Sequence, residues 1–345
     1  FFSGHFSSSF FSIIIIIIII MVCEETKPKN SSTRRIKLID GRKLAYKERG
    51  VPKEKSNYKI IFVHGFDSSK ERDFLAPQEL MNTLGIYIVQ FDRAGYGESD
   101  PNPKRSLRSE ASDIEELANH LELGSKFYVI GFSMGSYPTW SCIKHLSHRL
   151  AGVAFVVPIV NYQWPSLPES VTKDDERKKW YKRMTLVARY APKLLHWWMI
   201  RKTSSSSSTD NSKPTYFTDK DLELLKKAPG FQFLTADKLK SRSVFRNLRS
   251  DFLVAFSKWD FDPLELSNPF PENGKRLVHI WHGCEDRFTN LKLQRHVSER
   301  LPWIQYHEVR DGGHLLIYDT MVCEAILKSL LLGEDTPFYT PRLSS

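Results

Sequence analysis

A serine stands between two glycines at residues 131–135, whose sequence is Gly-Phe-Ser-Met-Gly. The motif follows a short apolar run, residues 126–130, and a helical pattern begins directly after it. A tight turn between a buried strand and a helix leaves no room for side chains at its flanks, which accounts for Gly131 and Gly135. The serine hydroxyl then projects from the strand end, where the helix N-terminus favours developing negative charge. We therefore predict that Ser133 is a nucleophile.

A serine hydroxyl is a poor nucleophile until a base accepts its proton, and histidine is the usual base. The sequence holds eleven histidines. His314 is the one that follows the last strand-like run, residues 304–309, through a short loop containing two glycines. Because the carboxyl ends of parallel strands meet at one edge of a sheet, we expect His314 beside Ser133. We predict that His314 is the general base.

The base in turn needs a carboxylate that orients its ring and stabilises its charged form. Asp286 follows the strand-like run at residues 276–281 and is expected at the same sheet edge. The neighbouring Glu285 should point elsewhere. Asp260 and Asp262 also lie between the serine and the histidine in the chain, which is the only reason to consider them for this role. They lie in or near a segment without a strand pattern. We predict that Asp286 completes a Ser-His-Asp triad.

An ester carbonyl that is attacked by serine becomes an oxyanion, which two backbone N–H groups can stabilise. Met134 follows the predicted nucleophile and supplies the first N–H. The strand-like run at residues 58–63 ends in His64, Gly65 and Phe66, and Phe66 supplies the second. His64 and Gly65 would support this loop, and the His64 ring has a purely structural interpretation as well.

Strand-like and helical patterns alternate around these motifs, which predicts an α/β fold with a mostly parallel sheet and helices on both faces. Eight strands are predicted, at residues 35–39, 43–49, 58–63, 86–91, 126–130, 150–157, 276–281 and 304–309. Helical patterns cover residues 109–123, 134–146, 291–300 and 320–331. The predicted α/β core therefore comprises residues 34–158 and 274–333, with a C-terminal tail at 334–345.

The alternation stops after the sixth strand, and residues 159–273 predict a helical insertion above the strand ends, acting as a lid. Five of the eight tryptophans lie in this insertion: Trp164, Trp180, Trp197, Trp198 and Trp259. Much of it should pack as the core of the lid. The rest of its apolar side chains are expected to form either a hydrophobic acyl pocket or a surface in peripheral contact with a membrane. Lysines beside tryptophans would suit anionic lipid headgroups at such a surface. A solvated basic helix face is an equal alternative.

Composition excludes several functional classes. The chain of 345 residues has a net charge of +10, but the charge is concentrated in two segments and no nucleic-acid-binding motif is present, so we expect no nucleic-acid partner. The four cysteines form no CxxC pair, which favours free thiols in a reducing compartment. We expect neither a metal nor an organic cofactor, and composition gives no oligomeric state.

The N-terminal segment is unusual because residues 13–20 are eight consecutive isoleucines. The apolar run at residues 10–23 is shorter than the roughly 18–20 residues that a transmembrane helix needs. We interpret residues 1–20 as an untranslated leader and Met21 as the start, which predicts a cytoplasmic protein. The alternative is membrane association through residues 10–23.

Five ordered motifs resemble those of the α/β-hydrolase superfamily. They are residues 64–66 (His-Gly-Phe), 92–99 (Asp-Arg-Ala-Gly-Tyr-Gly-Glu-Ser), 131–135, 283–286 and 313–314 (Gly-His). The resemblance implies the α/β-hydrolase fold, in which the Asp-Arg-x-Gly-x-Gly-x-Ser turn shapes the loop after the fourth strand. It also implies the chain order of serine, aspartate and histidine.

The resemblance covers residues 35–332, and the general look is that of uncharacterised plant hydrolases of this fold. Residues 64–66 lack the His-Gly-Gly-Gly of hormone-sensitive-lipase-like carboxylesterases, while Phe132 and Ser136 depart from the pattern of monoacylglycerol lipases. Ser133 stands where epoxide hydrolases and haloalkane dehalogenases would have Asp, which argues against both.

We expect a serine hydrolase whose partner is a small ester with a hydrophobic acyl or alcohol part. Two alternatives share the triad. One is a ligand-binding protein similar to hormone receptors of this fold, and the other is acyl transfer or lyase chemistry.

Overall fold

The computed structural model describes residues 34–205, 217–228, 235–271 and 277–335. Its eight strands form one sheet in the order β1-β2-β4-β3-β5-β6-β7-β8. The strands are β1 (Arg34–Lys37), β2 (Lys43–Gly50), β3 (Tyr58–Val63), β4 (Ile86–Phe91), β5 (Phe127–Phe132), β6 (Leu150–Val156), β7 (Val278–Gly283) and β8 (Ile304–Val309). β2 pairs antiparallel with both β1 and β4, and every pair from β4 to β8 is parallel. The predicted α/β-hydrolase sheet is confirmed.

The central strands are buried on both faces, which their continuous apolar runs predict. In β3, Ile60 and Phe62 belong to one hydrophobic cluster while Ile61 and Val63 belong to the other. This alternation is the period of two that a pleated strand imposes. The sheet therefore separates two cores, one on each face.

Helices cover both faces, as predicted. α2 (Leu107–His120), α3 (Ser136–Leu146) and α10 (Leu291–Arg300) bury their apolar sides in the larger cluster. On the other face, α1 (Gln78–Leu84) and α11 (Thr320–Leu332) contribute Met81 and Ile326 to the second cluster. Each face of the sheet is thus shielded from solvent.

Several element boundaries differ from the sequence prediction by one to three residues, and two of these differences have a clear physical reason. α2 begins at Leu107 because Ser106 and Ser109 cap its first turn reciprocally. β7 extends to Gly283 because His282 and Gly283 still pair with β8. The first shift concerns only a helix end, but the second fixes where the loop carrying Asp286 begins.

Among the described residues between β6 and β7, six α-helices follow one another and no strand occurs. The six helices are α4 (Glu169–Thr172), α5 (Glu176–Tyr190), α6 (Pro192–Ser205), α7 (Asp219–Lys227), α8 (Ala236–Lys240) and α9 (Arg242–Phe256). Trp164, Trp180 and Trp259 are buried in the larger cluster. The insertion is therefore continuous in packing with the core of the sheet.

The leader or anchor predicted at residues 1–20, the apolar segment 10–23 and Met21 lie outside the described residues, as do residues 336–345 of the C-terminal tail. Within the part of the chain that the structure describes, no helix has the length and apolar character needed to cross a bilayer.

Candidate active site

Ser133 lies at the turn between β5 and α3, in a single 3₁₀ turn that residues 133–135 form. Its φ of 50° is in the left-handed region, which non-glycine residues adopt at a cost and chiefly at functional sites. A side chain at Gly131 would place its Cβ 2.2 Å from Thr139 Oγ1, and one at Gly135 would place its Cβ 2.1 Å from the Val63 carbonyl oxygen. Close packing of the turn thus requires both glycines.

The structure brings the three predicted triad residues together. His314 Nε2 lies 2.9 Å from Ser133 Oγ, and His314 Nδ1 lies 2.8 Å from Asp286 Oδ2. Ser133 and His314 are 181 residues apart in the chain and meet because both follow strands whose carboxyl ends share one sheet edge. The hydrogen-bonded chain has the geometry in which a carboxylate orients an imidazole toward a hydroxyl.

Asp286 is held rigidly by the loop after β7. Its Oδ1 accepts hydrogen bonds from the backbone N–H groups of Phe288 and Thr289, and its Oδ2 accepts one from Thr289 Oγ1 at 2.8 Å. Burial alone would raise the pKa of Asp286, but the charge and hydrogen bond of His314, together with the Thr289 hydroxyl, lower it to about 2. The carboxylate is therefore ionised at neutral pH.

The His314 loop is anchored by a carboxylate from the insertion. Asp221, in the first turn of α7, accepts hydrogen bonds from the backbone N–H groups of His314 and Leu315, at 3.2 and 2.8 Å. A side chain at Gly313 would place its Cβ 1.9 Å from Asp221 Oδ2. Gly313 is not among the residues with positive φ, so its backbone conformation does not require glycine. The close approach of Asp221 does.

The predicted oxyanion loop, residues 64–66, lies against Ser133. A Cβ added to Gly65 would lie 3.2 Å from Ser133 Cβ, so Phe66 and Met134 flank the same point. Burial, reinforced by the charge of Arg93, holds the pKa of His64 well below its ordinary value. The neutral His64 ring donates from Nδ1 to the Gly65 carbonyl at 2.8 Å and accepts at Nε2 from the Arg93 N–H at 3.0 Å. His64 supports the loop, which agrees with its structural interpretation.

A buried ionic cluster lies behind this loop and was not predicted from the sequence. The Arg93 guanidinium donates two hydrogen bonds to Asp251 of α9, at 2.7 and 2.8 Å, and one to the Gly65 carbonyl at 3.2 Å. Arg105 lies 3.0 Å from the same carboxylate, and Tyr96 donates to it at 2.6 Å. Burial would raise the pKa of Asp251, but the two guanidinium groups lower it. The insertion thus supports the loop at residues 64–66 through Arg93.

An apolar cavity adjoins the site. Phe66 forms one wall, and the helices of the insertion form the others. The side chains that line it are apolar with one exception, Arg249; they are Phe66, Trp180, Met184, Ala188, Leu195, Trp198, Met199, Phe245, Leu248, Arg249 and Phe252. Phe66 is the residue that the cavity shares with the site, and a lining of this kind can accommodate a hydrocarbon chain.

Among the described residues, no cluster of three His, Cys, Asp or Glu side chains is arranged to hold a metal ion. Asp221 and Asp251 are the two carboxylates at the site that the motifs missed. Thr218 and Asp221 cap α7 reciprocally, so the Thr-x-x-Asp pattern indicates a helix start, but it carries no sign of the contact with His314.

Comparisons with solved structures agree with this architecture. The chain is similar to an esterase from Thermogutta terrifontis, at 20% identity and a TM-score of 0.54, over 87% of this chain and 98% of that one. It is similar to a bromoperoxidase from Bacillus anthracis, at 17% identity and a TM-score of 0.59, over 87% and 100% of the two chains. An epoxide hydrolase matches at 16% identity and a TM-score of 0.57, over 86% and 97%. These likenesses show a shared fold.

The model of the alpha/beta hydrolase family matches residues 60–324, which include the turn at Ser133, the Asp286 loop and the His314 loop. The match spans more than half of the chain, and the sheet order and the site at its carboxyl edge agree with it. The chain therefore belongs to the alpha/beta hydrolase family.

Proposed function

We propose that this hydrolase is a serine esterase that cleaves carboxylic esters with a hydrophobic acyl or alcohol part. The observation that carries the proposal is the hydrogen-bonded chain from Ser133 Oγ through His314 to Asp286. A serine in this position forms an acyl-enzyme with an ester, and an ionised aspartate stabilises the imidazolium that arises on the way.

In the proposed reaction, Ser133 Oγ attacks the ester carbonyl carbon while His314 Nε2 accepts the hydroxyl proton. The N–H groups of Phe66 and Met134 donate to the oxyanion of the tetrahedral intermediate. His314 then passes its proton to the leaving alcohol, which departs as the acyl-enzyme forms. A water molecule gives a proton to His314 and attacks the acyl carbon, and collapse of the second intermediate returns the proton to Ser133 and releases the acid.

The apolar cavity supports a hydrophobic substrate. Phe66, whose N–H is the proposed oxyanion donor, also lines the cavity, and ten of its eleven lining residues are apolar. Each CH₂ group that leaves water contributes about 0.8 kcal/mol to binding. We therefore propose that the helical insertion acts as a lid, and that catalytic efficiency rises with acyl length until the cavity is full.

The central test is covalent labelling by a fluorophosphonate, which reacts with an activated serine. We expect strong labelling of the native protein and none of Ser133→Ala. The matched control is Ser136→Ala, since Ser136 lies on the same turn but its hydroxyl accepts from the Ile159 N–H. Undiminished labelling of Ser133→Ala would contradict the assignment, and labelling without turnover of any ester would favour a ligand-binding protein.

The substrate is tested with a series of esters of increasing acyl length. Ala188 lines the cavity, so Ala188→Phe should shorten the best acyl chain while leaving acetate hydrolysis nearly unchanged. Leu186→Phe, on the exposed side of the same helix, is the control. A flat dependence of kcat/KM on acyl length in the native protein would indicate a small polar ester instead.

The proposal includes a cytoplasmic location. Cys142 and Cys323 are buried thiols of the hydrophobic core, which suits a reducing compartment.

A further inference from the structure

The outer side of α5 and α6 exposes an unusual amount of apolar surface. Leu186 and Tyr190 of α5 are 50% and 76% exposed, and Leu194 and Trp197 of α6 are 58% and 55% exposed. Leu186 and Tyr190 are four residues apart on α5, and Leu194 and Trp197 are three residues apart on α6, so each pair lies on one face of its helix. We call these four side chains the outer patch. Among the described residues, the other large hydrophobic side chains with comparable exposure are Ile39 and Met321, and both lie far away in the chain.

The same two helices are apolar on their inner side as well. Leu195 and Trp198 line the cavity, while their sequence neighbours Leu194 and Trp197 point to solvent. A surface helix of a water-soluble domain carries one apolar stripe, which faces the core. An apolar stripe on the opposite side therefore calls for a second apolar environment outside the protein.

The charge around the outer patch identifies that environment. Residues 176–205 hold nine Lys and Arg against a single acidic residue, Glu176. Lys182 lies one helical turn before Leu186, Lys193 precedes Leu194, and the Arg201 guanidinium lies 5.3 Å from the centre of the Trp197 ring. An anionic bilayer offers negative headgroups beside a hydrocarbon interior, and exposed aromatic and aliphatic side chains ringed by cations match both layers.

We propose that the outer patch and its surrounding lysines and arginines dock this protein on an anionic lipid surface. A second copy of the chain fits less well, because a symmetric contact would bring the same cations against each other. A nucleic acid would satisfy the cations but would leave the apolar side chains of the patch against phosphate. The proposal does not depend on the triad.

Binding is tested with the full chain by co-sedimentation with vesicles of phosphatidylcholine alone and of phosphatidylcholine with phosphatidylserine. We expect binding to the mixed vesicles, weak binding to the neutral ones, and release at about 1 M salt, where the screening length falls to about 3 Å. Each basic residue near the surface contributes about fivefold to partitioning, so Lys182→Gln with Lys193→Gln should lower it about 25-fold. Trp197→Ser should lower it about tenfold.

Three controls make the result decisive. Met321→Ser removes an exposed hydrophobic side chain elsewhere, and Lys126→Gln removes an exposed lysine elsewhere; both should bind like the native protein. Ser133→Ala should also bind fully, which separates this proposal from the proposed esterase activity.

Equal binding of the Trp197→Ser variant and the native protein would overturn the proposal, as would binding that ignores phosphatidylserine. Self-association in sedimentation velocity that Trp197→Ser abolishes, without vesicle binding, would identify a second copy as the partner. Salt-dependent binding of an oligonucleotide in place of vesicles would identify a nucleic acid.

Discussion

His314 is positioned by two carboxylates that come from different parts of the chain. Asp286 accepts a hydrogen bond from the imidazole ring. Asp221 of the insertion accepts hydrogen bonds from the backbone N–H groups of His314 and Leu315. Ring orientation and loop position are therefore controlled separately, and each can be altered without removing the imidazole.

Replacing Asp286 tests the control of the ring. In Asp286→Asn the amide keeps the shape of the side chain but removes the negative charge that stabilises the imidazolium. We expect kcat for an activated ester to fall by about four orders of magnitude. Circular dichroism should show an intact fold, and a loss smaller than tenfold would contradict the role of Asp286.

Replacing Asp221 tests the control of the loop. Displacement of a catalytic group by about 1 Å can cost about 100-fold in rate, so Asp221→Ala should lower kcat by 10- to 100-fold, with KM nearly unchanged. Asp221→Asn keeps one acceptor and should lose less. Glu223→Gln, an exposed position on the same helix, is the control and should be silent. If kcat fell together with thermal stability, and KM changed as well, Asp221 would have a purely structural role.

The sequence predicted the triad but neither supporting carboxylate, and the reason is physical. Ser133, Asp286 and His314 each follow a strand-like run, and parallel topology brings strand ends together. Asp221 and Asp251 lie in helices of the insertion, where an acidic residue is usually solvated. Their contacts depend on how these helices pack against the sheet domain, which no local pattern encodes.

Among the helices, α9 connects the insertion to the core through charge as well as apolar packing. Asp251 is fully buried and shared by Arg93 and Arg105, and Glu110 of α2 lies within 2.5 Å of Arg105. Removing one member of such a cluster leaves an uncompensated buried charge.

Asp251→Asn is therefore expected to destabilise the protein strongly. The cost should be about 3–5 kcal/mol in the free energy of unfolding, because two guanidinium groups lose their shared partner. Denaturant unfolding measures it, and Asp260→Asn, an exposed position just after α9, serves as control. A change below about 1 kcal/mol, typical of an exposed ion pair, would show that the cluster contributes little.

The strand and helix patterns predicted the main elements because burial on both faces produces long apolar runs. β3, β4, β8 and α10 have the predicted bounds. The ends of β7 lie two residues after the predicted ones, since pairing with β8 continues through His282. His282 is buried although it is polar, so the apolar pattern does not include it in the strand. Within the insertion, the helix bounds depend on capping residues such as Asp175 and Thr235.

For the whole molecule, buried neutral histidines make stability depend on pH. Burial lowers the pKa of His282 to about 4 and holds that of His64 well below its ordinary value. In the unfolded chain both have a pKa of about 6.5, so between these values the unfolded chain binds more protons. Stability should therefore be fully present above pH 6.5 and should fall as the pH drops toward 4.

Denaturant midpoints at about pH 7, 5.5 and 4 measure this dependence, with His282 alone responsible for a loss on the order of 3 kcal/mol. His282→Gln should show a shallower pH slope than the native protein. The exposed His148→Gln should keep the native slope. Asp286 acts in a lower window, since its stabilising contribution is present above pH 3.8 and is lost as the pH falls through about 2. Identical slopes in all three proteins would contradict the role of His282.

The two insertion carboxylates also bear on how this scaffold can be re-engineered. Specificity could be changed by exchanging the whole insertion, as one cassette, for that of a related enzyme. Here a donor cassette would have to supply two carboxylates, one that pairs with Arg93 as Asp251 does and one that binds the His314 loop as Asp221 does. Chimaeras made by joining at the ends of β6 and β7 should therefore express poorly or turn over slowly. Libraries that hold Asp221 and Asp251 constant and vary the cavity lining offer the more productive route to new substrates.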